Sequence, residues 1–454
     1  MNPGTGKKTL LAISSLASFL VPFTVSSLNV ALPAIGSDLG LDAVSLGWIT
    51  TAYLLAATVF MLPLGRVADM IGMKRVFLAG NILFGIGSVC GAYSVSGEVL
   101  IVSRFIQGLG GAMVFSTSMA IVTIVFPPGE RGRAIGIITA TVYAGLSLGP
   151  VLGGFITEIW GWPLIFLCNV PVALMVILLT LSALPGEWCP SRGTPFDIPG
   201  SLLYMGALCG CMYGLAVLPS WHGGIWIGCG LLAGWWFLRW ERSQKAPFLD
   251  PRIFSENRVF LLSNIAAMIN YSVVFAVSLL VSLVLQYNRG LDPAATGLIL
   301  LAQPLIQTLV SPLAGHLSDT GEPARIATIG MGVTGLGLIV LLVTLPASPI
   351  PAVIAGLVLL GLGYGLFSSP NTNAIMSSVP LHHLGTASGM VSTMRYTGQL
   401  ISLAITMVVF SCVIGTVEIT PPVYPQLLTS TSVILGIFVL LSVAGVFTSY
   451  HRTG

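Results

Sequence analysis

Arg104 and Arg395 each stand inside a long apolar run. A guanidinium keeps its proton at physiological pH, and placing one at a bilayer centre costs about 2.5–3.5 kcal/mol on insertion scales. Its chemistry is therefore recognition: it holds an anion, a carbonyl or a developing charge. Gln107 follows Arg104 by three positions and Gln399 follows Arg395 by four, so each amide shares a helix face with its arginine. Two readings stand for Arg104. Either it lines a central cavity in the outer third of the membrane and controls proton or substrate charge, or it snorkels to the interface near Glu98. Arg395 lies closer to the midplane, where the choice is between a cavity role and a tie to a backbone carbonyl. Asn270, Tyr271, Gln303, Gln307, Tyr364 and Asn371 add neutral polar groups in other apolar runs. Singly each reads as an interhelical hydrogen bond; as a set they favour a mostly neutral, amphipathic cavity.

Other chemistries find little support. None of the fifteen acids lies deep in an apolar run: Asp38, Asp42, Glu98, Glu158, Asp292 and Glu418 fall at the outer ends and the rest on the inner side. Proton carriage would fall to Glu158, Glu98 or Asp69, unless the substrate carries the charge itself. His382 and His383 are adjacent and diverge on a helix, while His222, His316 and His451 are scattered at run ends, so no metal site is expected. Cys209 and Cys211 point to different helix faces and read as small apolar fillers. No G-x-x-x-x-G-K-[ST] cradle for nucleotide phosphates occurs, so neither an enzyme nor an ATP-driven machine is expected, and no cofactor.

Two further stretches could position or move such groups. GRVADMIGMKR, Gly65 to Arg75, gathers Arg66, Asp69, Lys74 and Arg75 between two apolar runs, and a weaker version, Gly315 to Asp319, follows 250 positions after Asp69. These charges set topology. They also suit a gate on the inner side, where the Asp69 carboxylate would accept N–H groups at the positive end of a neighbouring helix, with a smaller part for Asp319. Gly145, Gly149, Pro150, Gly153 and Gly154 leave one helix face bare, a close-packing seam that could slide during a change of access.

The elements that must hold these residues follow from composition. Charged residues make up 7% of the chain against about 25% in soluble domains, and 55% are hydrophobic. The mean hydropathy is +0.95. Apolar runs of 18 or more residues recur throughout, each able to cross a hydrocarbon core of about 30 Å. Lipid offers no partner to an open backbone group, so an all-α membrane protein is expected. Fourteen helices are expected near 9–32, 44–64, 75–95, 98–126, 132–156, 162–184, 198–218, 222–240, 259–286, 294–315, 324–345, 350–375, 385–415 and 428–449. With both termini inside the cell, all eighteen basic residues fall on the inner side except Arg289, outside, and Arg104 and Arg395, within helices. A repeat supports the count: Gly108–Gly136 lies over Gly361–Gly389 at an offset of 253, with identical partners for Gly108, Gly110, Pro127, Gly132, Ala134 and Gly136. The expected domains are a six-helix bundle over 1–184, two inserted helices over 185–258 and a second six-helix bundle over 259–454. Parallel six-helix halves are the architecture of a major-facilitator transporter.

The motifs strengthen that resemblance. The chain resembles the major facilitator superfamily and, within it, the fourteen-helix drug:proton antiporter family. The loop signature of that superfamily is matched by Gly65, Val67, Asp69, Gly72, Lys74 and Arg75, with Met70 and Met73 at usually basic positions. A fourth-helix signature is matched by Arg104, Gln107, Gly108 and Gly110, and the fifth-helix antiporter signature G-x-x-x-G-P-x-x-G-G in full by Gly145, Gly149, Pro150, Gly153 and Gly154. FDIPG (Phe196–Gly200), ERSQKAPFLDPRIF (Glu241–Phe254), LQYNRGLDPAATG (Leu285–Gly297) and NVALP (Asn29–Pro33) are similar to fourteen-helix members in particular. The pattern departs at Thr24, where the family usually has Asp, and at Trp162–Phe166, where WRWIF is usual. The resemblance implies a multi-pass protein of the cell membrane, acting as a monomer. It would export hydrophobic or amphipathic small molecules by alternating access in exchange for protons. An uptake carrier or facilitative uniporter of a neutral or anionic solute is the alternative. Partners are the substrate, protons and the bilayer; nucleic acid is not among them.

Overall fold

The computed structural model describes residues 3–126, 128–184, 186–189, 196–218, 220–244, 257–320, 322–346, 349–379, 384–415 and 417–452. Arg192, Lys245, Arg252, His382, His383 and most of the Glu241–Phe254 stretch lie outside these residues, as does the side chain of Asp319. Among the described residues fourteen helices form: α1 Pro3–Leu39, α2 Ala43–Ile71, α3 Met73–Ala92, α4 Gly97–Val125, α5 Pro128–Trp160, α6 Pro163–Ala183, α7 Ile198–Ala216 and α8 Trp221–Glu241. They continue with α9 Arg258–Asn288, α10 in two pieces (Pro293–Leu300 and Ala302–Thr320), α11 Pro323–Thr344, α12 Ile350–Ser377, α13 Leu384–Val413 and α14 Tyr424–Tyr450. Among the described residues, thirteen helices are long and apolar enough to span a membrane; α8 carries Arg239 and Glu241 in its last turn. The chain is an all-α membrane protein, with fourteen helices among the described residues.

Two boundaries differ from the sequence expectation. The charged stretch after position 64 is not a loop: Gly65–Ile71 completes α2, and Gly72 alone separates it from α3. Helix satisfies backbone groups near a membrane surface, so α2 runs on past its apolar part. The reversal needs a residue with φ at +127°, which only glycine adopts without strain. The ninth helix is continuous as a span but locally broken at Phe275–Ala276, and it ends in a π turn, Val284–Asn288.

The contacts divide the chain into two compact units. The first gathers α1, most of α2, α3–α6 and Asp292–Gly297; the second gathers Asp42–Gly47, α7–α9, most of α10 and α11–α14. In the second unit α7 and α8 meet backbone to backbone, a Cβ at Gly210 falling 2.8 Å from Gly230 Cα and one at Gly214 falling 2.7 Å from Gly223 O. Tyr204 on α7 hydrogen-bonds Thr393 on α13, which ties this pair to its unit. The outer face of α8 exposes Trp221, Trp226, Trp235, Trp236 and Trp240.

Within each unit the same helix pairs pack. The first joins α1 with α5 and α6, and α3 with α4 and α6; the second joins α9 with α13 and α14, and α11 with α12 and α14. The contact points repeat as well. Cβ atoms at Gly80 and Gly110 would strike the backbone across α3/α4, and those at Gly330 and Gly363 the backbone across α11/α12. Gly108 sits against Tyr53 O, and Gly361 against Gln303 O. The offsets of 250 in one helix and 253 in the other therefore survive as matching backbone contacts.

Candidate functional site

Arg104 lies in the interior of the first unit with no exposed surface. Its Nε donates to Ile49 O at 3.3 Å and its Nη1 to Gln107 Oε1. The guanidinium carbon stands 4.4 Å from the Tyr53 ring centroid and 5.9 Å from that of Phe166. The amide of Gln107 passes the chain on, donating from Nε2 to Ser88 Oγ at 2.7 Å. Nη2 is buried without a partner. The side chain thus does not snorkel to the interface. It is held by a carbonyl, an amide and aromatic faces rather than by a carboxylate, and the two N–H groups of Nη2 are left unused.

Thr24, where the family pattern usually has Asp, is also fully buried. Its Oγ1 stands 3.0 Å from Asn169 Oδ1 and 2.8 Å from Leu20 O, while Asn169 Nδ2 donates to Ile165 O at 3.1 Å. A hydroxyl–amide pair between α1 and α6 occupies this place. Where α1 ends and α6 begins, Trp162 Nε1 donates to Asp38 Oδ2 at 3.0 Å, so the tryptophan that survives from the altered sixth-helix pattern joins α6 to α1.

Three of the α5 glycines share one face, which packs on α1. Cβ atoms at Gly145, Gly149 and Gly153 would strike α1 at Phe19 O, Ser26 Oγ and Ser27 Cα. Ser26 Oγ in turn lies 3.2 Å from Gly145 O. Gly154 turns another way, against Pro293 O, and Pro150 O abuts Gly297, so the Asp292–Gly297 segment closes on α5. Glu158 Oε2 accepts from Ala294 N there at 3.3 Å.

At Gly65–Arg75 a carboxylate does meet a helix N-terminus, but it comes from Glu187, not Asp69. Lys74 N donates to Glu187 Oε1 at 2.7 Å, and Arg75 Nε lies 3.6 Å from Glu187 Oε2. Lys74 Nζ donates to Leu184 O, and Met73 N to Trp188 O at 3.0 Å. The first-turn N–H groups of α3 and its dipole draw the anion, and Gly72 leaves room that a Cβ would take from Glu187. Asp69 is half-buried in the last turn of α2, with Arg66 three residues before it on the same face. Among the described residues it accepts no helix-end hydrogen bond.

In the second unit, Arg395 is half-buried, with its guanidinium carbon 5.2 Å from the Tyr396 ring centroid; Gln399 is half-buried one turn on. Gly398 lets α13 close on α9 at Met268 O and Tyr271, and Tyr271 meets Tyr364 edge to face at 5.5 Å. Asn270 is fully buried with both side-chain amide atoms unpartnered. Three charged side chains are buried among the described residues: Arg104, Glu241 and Arg452. The sequence marks only the first. Arg452 follows α14. Its Nη1 donates to Asn371 Oδ1 at 2.6 Å and Ser263 Oγ at 3.2 Å, its Nη2 to Ala324 O at 2.6 Å. Burial lowers its pKa to about 10, which leaves it charged at physiological pH. No periodicity announces an arginine just past α14 that folds back, nor Glu187 in a short tail.

A family model described as Major Facilitator Superfamily matches residues 14–403. The chain is 33% identical to the riboflavin transporter RibZ of Clostridioides difficile over 86% of its own length and 85% of that protein. It is 34% identical to the multidrug resistance protein Stp of Mycobacterium tuberculosis over 87% of its own length and 74% of that protein. A peptide transporter crystallised with alafosfalin superposes with a TM-score of 0.73 at 16% identity, covering 100% of this chain and 99% of that one, which is a likeness of fold. The repeated helix pairs, the glycine seams and these matches agree: this multi-pass membrane protein belongs to the Major Facilitator Superfamily.

Proposed function

We propose that the chain is a secondary active exporter of hydrophobic or amphipathic small molecules, working as a monomer in the cell membrane and exchanging substrate for protons. The observation that carries this reading is the bare face of α5. Gly145, Gly149 and Gly153 bring backbones of α1 and α5 into contact, and the same helix presents Pro150 and Gly154 to a second segment. A seam without side chains to unlock suits a rocking transporter. The kinship with a multidrug resistance protein supports export. In this reading Arg104 Nη2 and the amide of Asn270, buried without partners, are donors and acceptors waiting for substrate or water. Gln107 orients Arg104, while Arg395, Tyr271 and Gln399 furnish a second polar patch. Two fixed positive charges favour neutral or anionic substrates over dications. Gly65, Asp69, Gly72, Lys74, Arg75 and Asp319 serve as gating elements. Proton carriage falls to Asp69, Glu158 or Glu241, the last being a fully buried carboxylate.

The alternative is an uptake carrier or facilitative uniporter of a neutral or anionic solute. It is favoured by the Thr24–Asn169 pair, which cannot titrate, and by kinship with a riboflavin transporter. Inverted vesicles separate the two. With riboflavin and a panel of neutral, anionic and dicationic aromatic compounds, export predicts uphill accumulation that an uncoupler abolishes and collapse of an imposed proton gradient on adding substrate. Accumulation only down its gradient, indifferent to uncoupler and pH, would overturn proton exchange. Dications as the preferred substrates would overturn the roles given to Arg104 and Arg395.

A further inference from the structure

We infer that the groove between α11 and α14 is a binding site for one anionic phospholipid, its acyl chain in the groove and its phosphate at the ends of the helices. The groove has a volume of about 590 Å³ and a wall that is almost wholly apolar, from Tyr450 and His451 at one end to Val439 and Ile339 at the other. Its existence follows from missing side chains. Gly335 and Gly445 hold the helices close, their would-be Cβ atoms meeting Ser442 Oγ at 2.9 Å and the end of Met331. A Cβ at Gly332 would meet nothing within 4 Å, so this glycine leaves an open notch that flanking side chains do not fill.

The length selects the occupant. Val439 to Tyr450 is eleven rises, about 17 Å at 1.5 Å per residue, close to the ~15 Å that one leaflet contributes to a hydrocarbon core of about 30 Å. An acyl chain lying there would reach from the interface to the midplane. Charge selects the head group. Arg325, in the first turn of α11, lies seven and fourteen positions before Gly332 and Ile339, hence on their stripe. Its side chain is 77% exposed, with Nε paired to Glu322 Oε2 at 2.6 Å. His451 closes the mouth, its ring 4.1 Å from that of Phe447 and 5.5 Å from that of Tyr450. Basic and aromatic side chains at the depth of a head group are what a lipid phosphate and its interface call for. Thr328 and Ser449, 2.7 Å apart, pin the two helices just inside that mouth.

The test uses the full-length protein in mild detergent, exposed to an equimolar mixture of phosphatidylglycerol and phosphatidylethanolamine and read by native mass spectrometry. The expected result is one retained phosphatidylglycerol per chain, at least fivefold over phosphatidylethanolamine. Gly332→Leu should fill the notch and reduce retention at least fivefold while the melting temperature in lipid-free detergent stays within 2 °C of the parent. Arg325→Gln should erase the preference for phosphatidylglycerol and leave some lipid bound. The proposal is overturned if the parent retains no lipid, if it retains both lipids equally, if Gly332→Leu retains as much as the parent, or if the groove proves to be covered by a second copy of the chain. A Gly332→Leu protein with a lowered melting temperature is replaced by Gly332→Val, on which the same loss is required.

Discussion

The two units share a backbone plan and disagree about where to put charge. At the start of its third helix the first unit holds Lys74, bound to Leu184 O and Glu187 in the tail after α6. At the corresponding place, 250 positions on, the second has Ala324, whose carbonyl accepts from Arg452 in the tail after α14. The junction is the same, with the cation moved from helix to tail. It is also deeper: Arg452 is 1% exposed, whereas the side chains of Arg75 and Glu187 are 74% and 24% exposed. The seam shows a similar exchange. Ser26 on α1 faces Gly149 on α5, while their counterparts are Ala276 on α9 and Ser402 on α13, and Ser402 Oγ accepts from Ala276 N at 3.1 Å where α9 is broken. Arg104 itself corresponds to Leu357. Backbone contacts, fixed by glycines, are what the repeat preserves; the polar groups are free to change sides. A partly exposed ion pair yields easily, and a buried guanidinium hydrogen-bonded to neutral oxygens does not.

That contrast can be broken at four places. The largest effect is expected from Arg452→Ala, which strands Asn371 Oδ1 and Ala324 O in a buried site. Leaving such groups unsatisfied costs about 3 kcal/mol in all, read as a lower melting temperature in detergent. The loss should be constant between pH 6 and 8, since a guanidinium that burial lowers to about 10 stays protonated there; only above that pH, where the folded state gives up the proton first and the cost of burying the charge is relieved, does its contribution change. Equal melting of Arg452→Ala and Glu187→Gln would erase the difference between the junctions.

Gly149→Ser copies the second unit's residue into the first unit's seam. Its side chain would collide with Ser26, an overpacking of about 1–3 kcal/mol, with transport falling in step. An unharmed variant would mean that the seam has slack on both sides. Arg104→Leu, which copies Leu357, should insert and fold yet lose at least tenfold in transport, a difference of about 1.4 kcal/mol. Full transport would reduce Arg104 to a space-filling residue like its counterpart. The smallest change is expected from Glu187→Gln, at most about 1 kcal/mol and shrinking with added salt. A salt-independent loss as large as that of Arg452→Ala would show that the first junction is no weaker.

The helices were legible because lipid leaves the backbone no other choice, and because Gly108, Gly110 and their partners at 361 and 363 mark where backbones meet. The glycine face of α5 could be placed from its spacing alone, since a bare stripe has one use. Glu187 could not be found this way. A carboxylate in a short tail carries no period, and the same helix-end site could have been filled by Asp69, which is nearer in sequence. Arg452 reads as one more topology-setting charge until the chain folds back. Arg104 and Gln107 were recognisable as a pair, but their anchoring on Ile49 O and Tyr53 depends on how closely α2 approaches Gly108 and Gly111.

Five of the nine tryptophans lie on α8, on its exposed face. The emission of this protein should therefore be dominated by a helix that carries neither Arg104 nor Asn270, and by whatever acyl chains surround it. A hydrophobic compound that dims that emission reports first on its own partitioning into lipid or detergent. Binding assays by intrinsic fluorescence need these five indoles replaced by phenylalanine, with Trp48, Trp160, Trp162 and Trp188 left as the reporters.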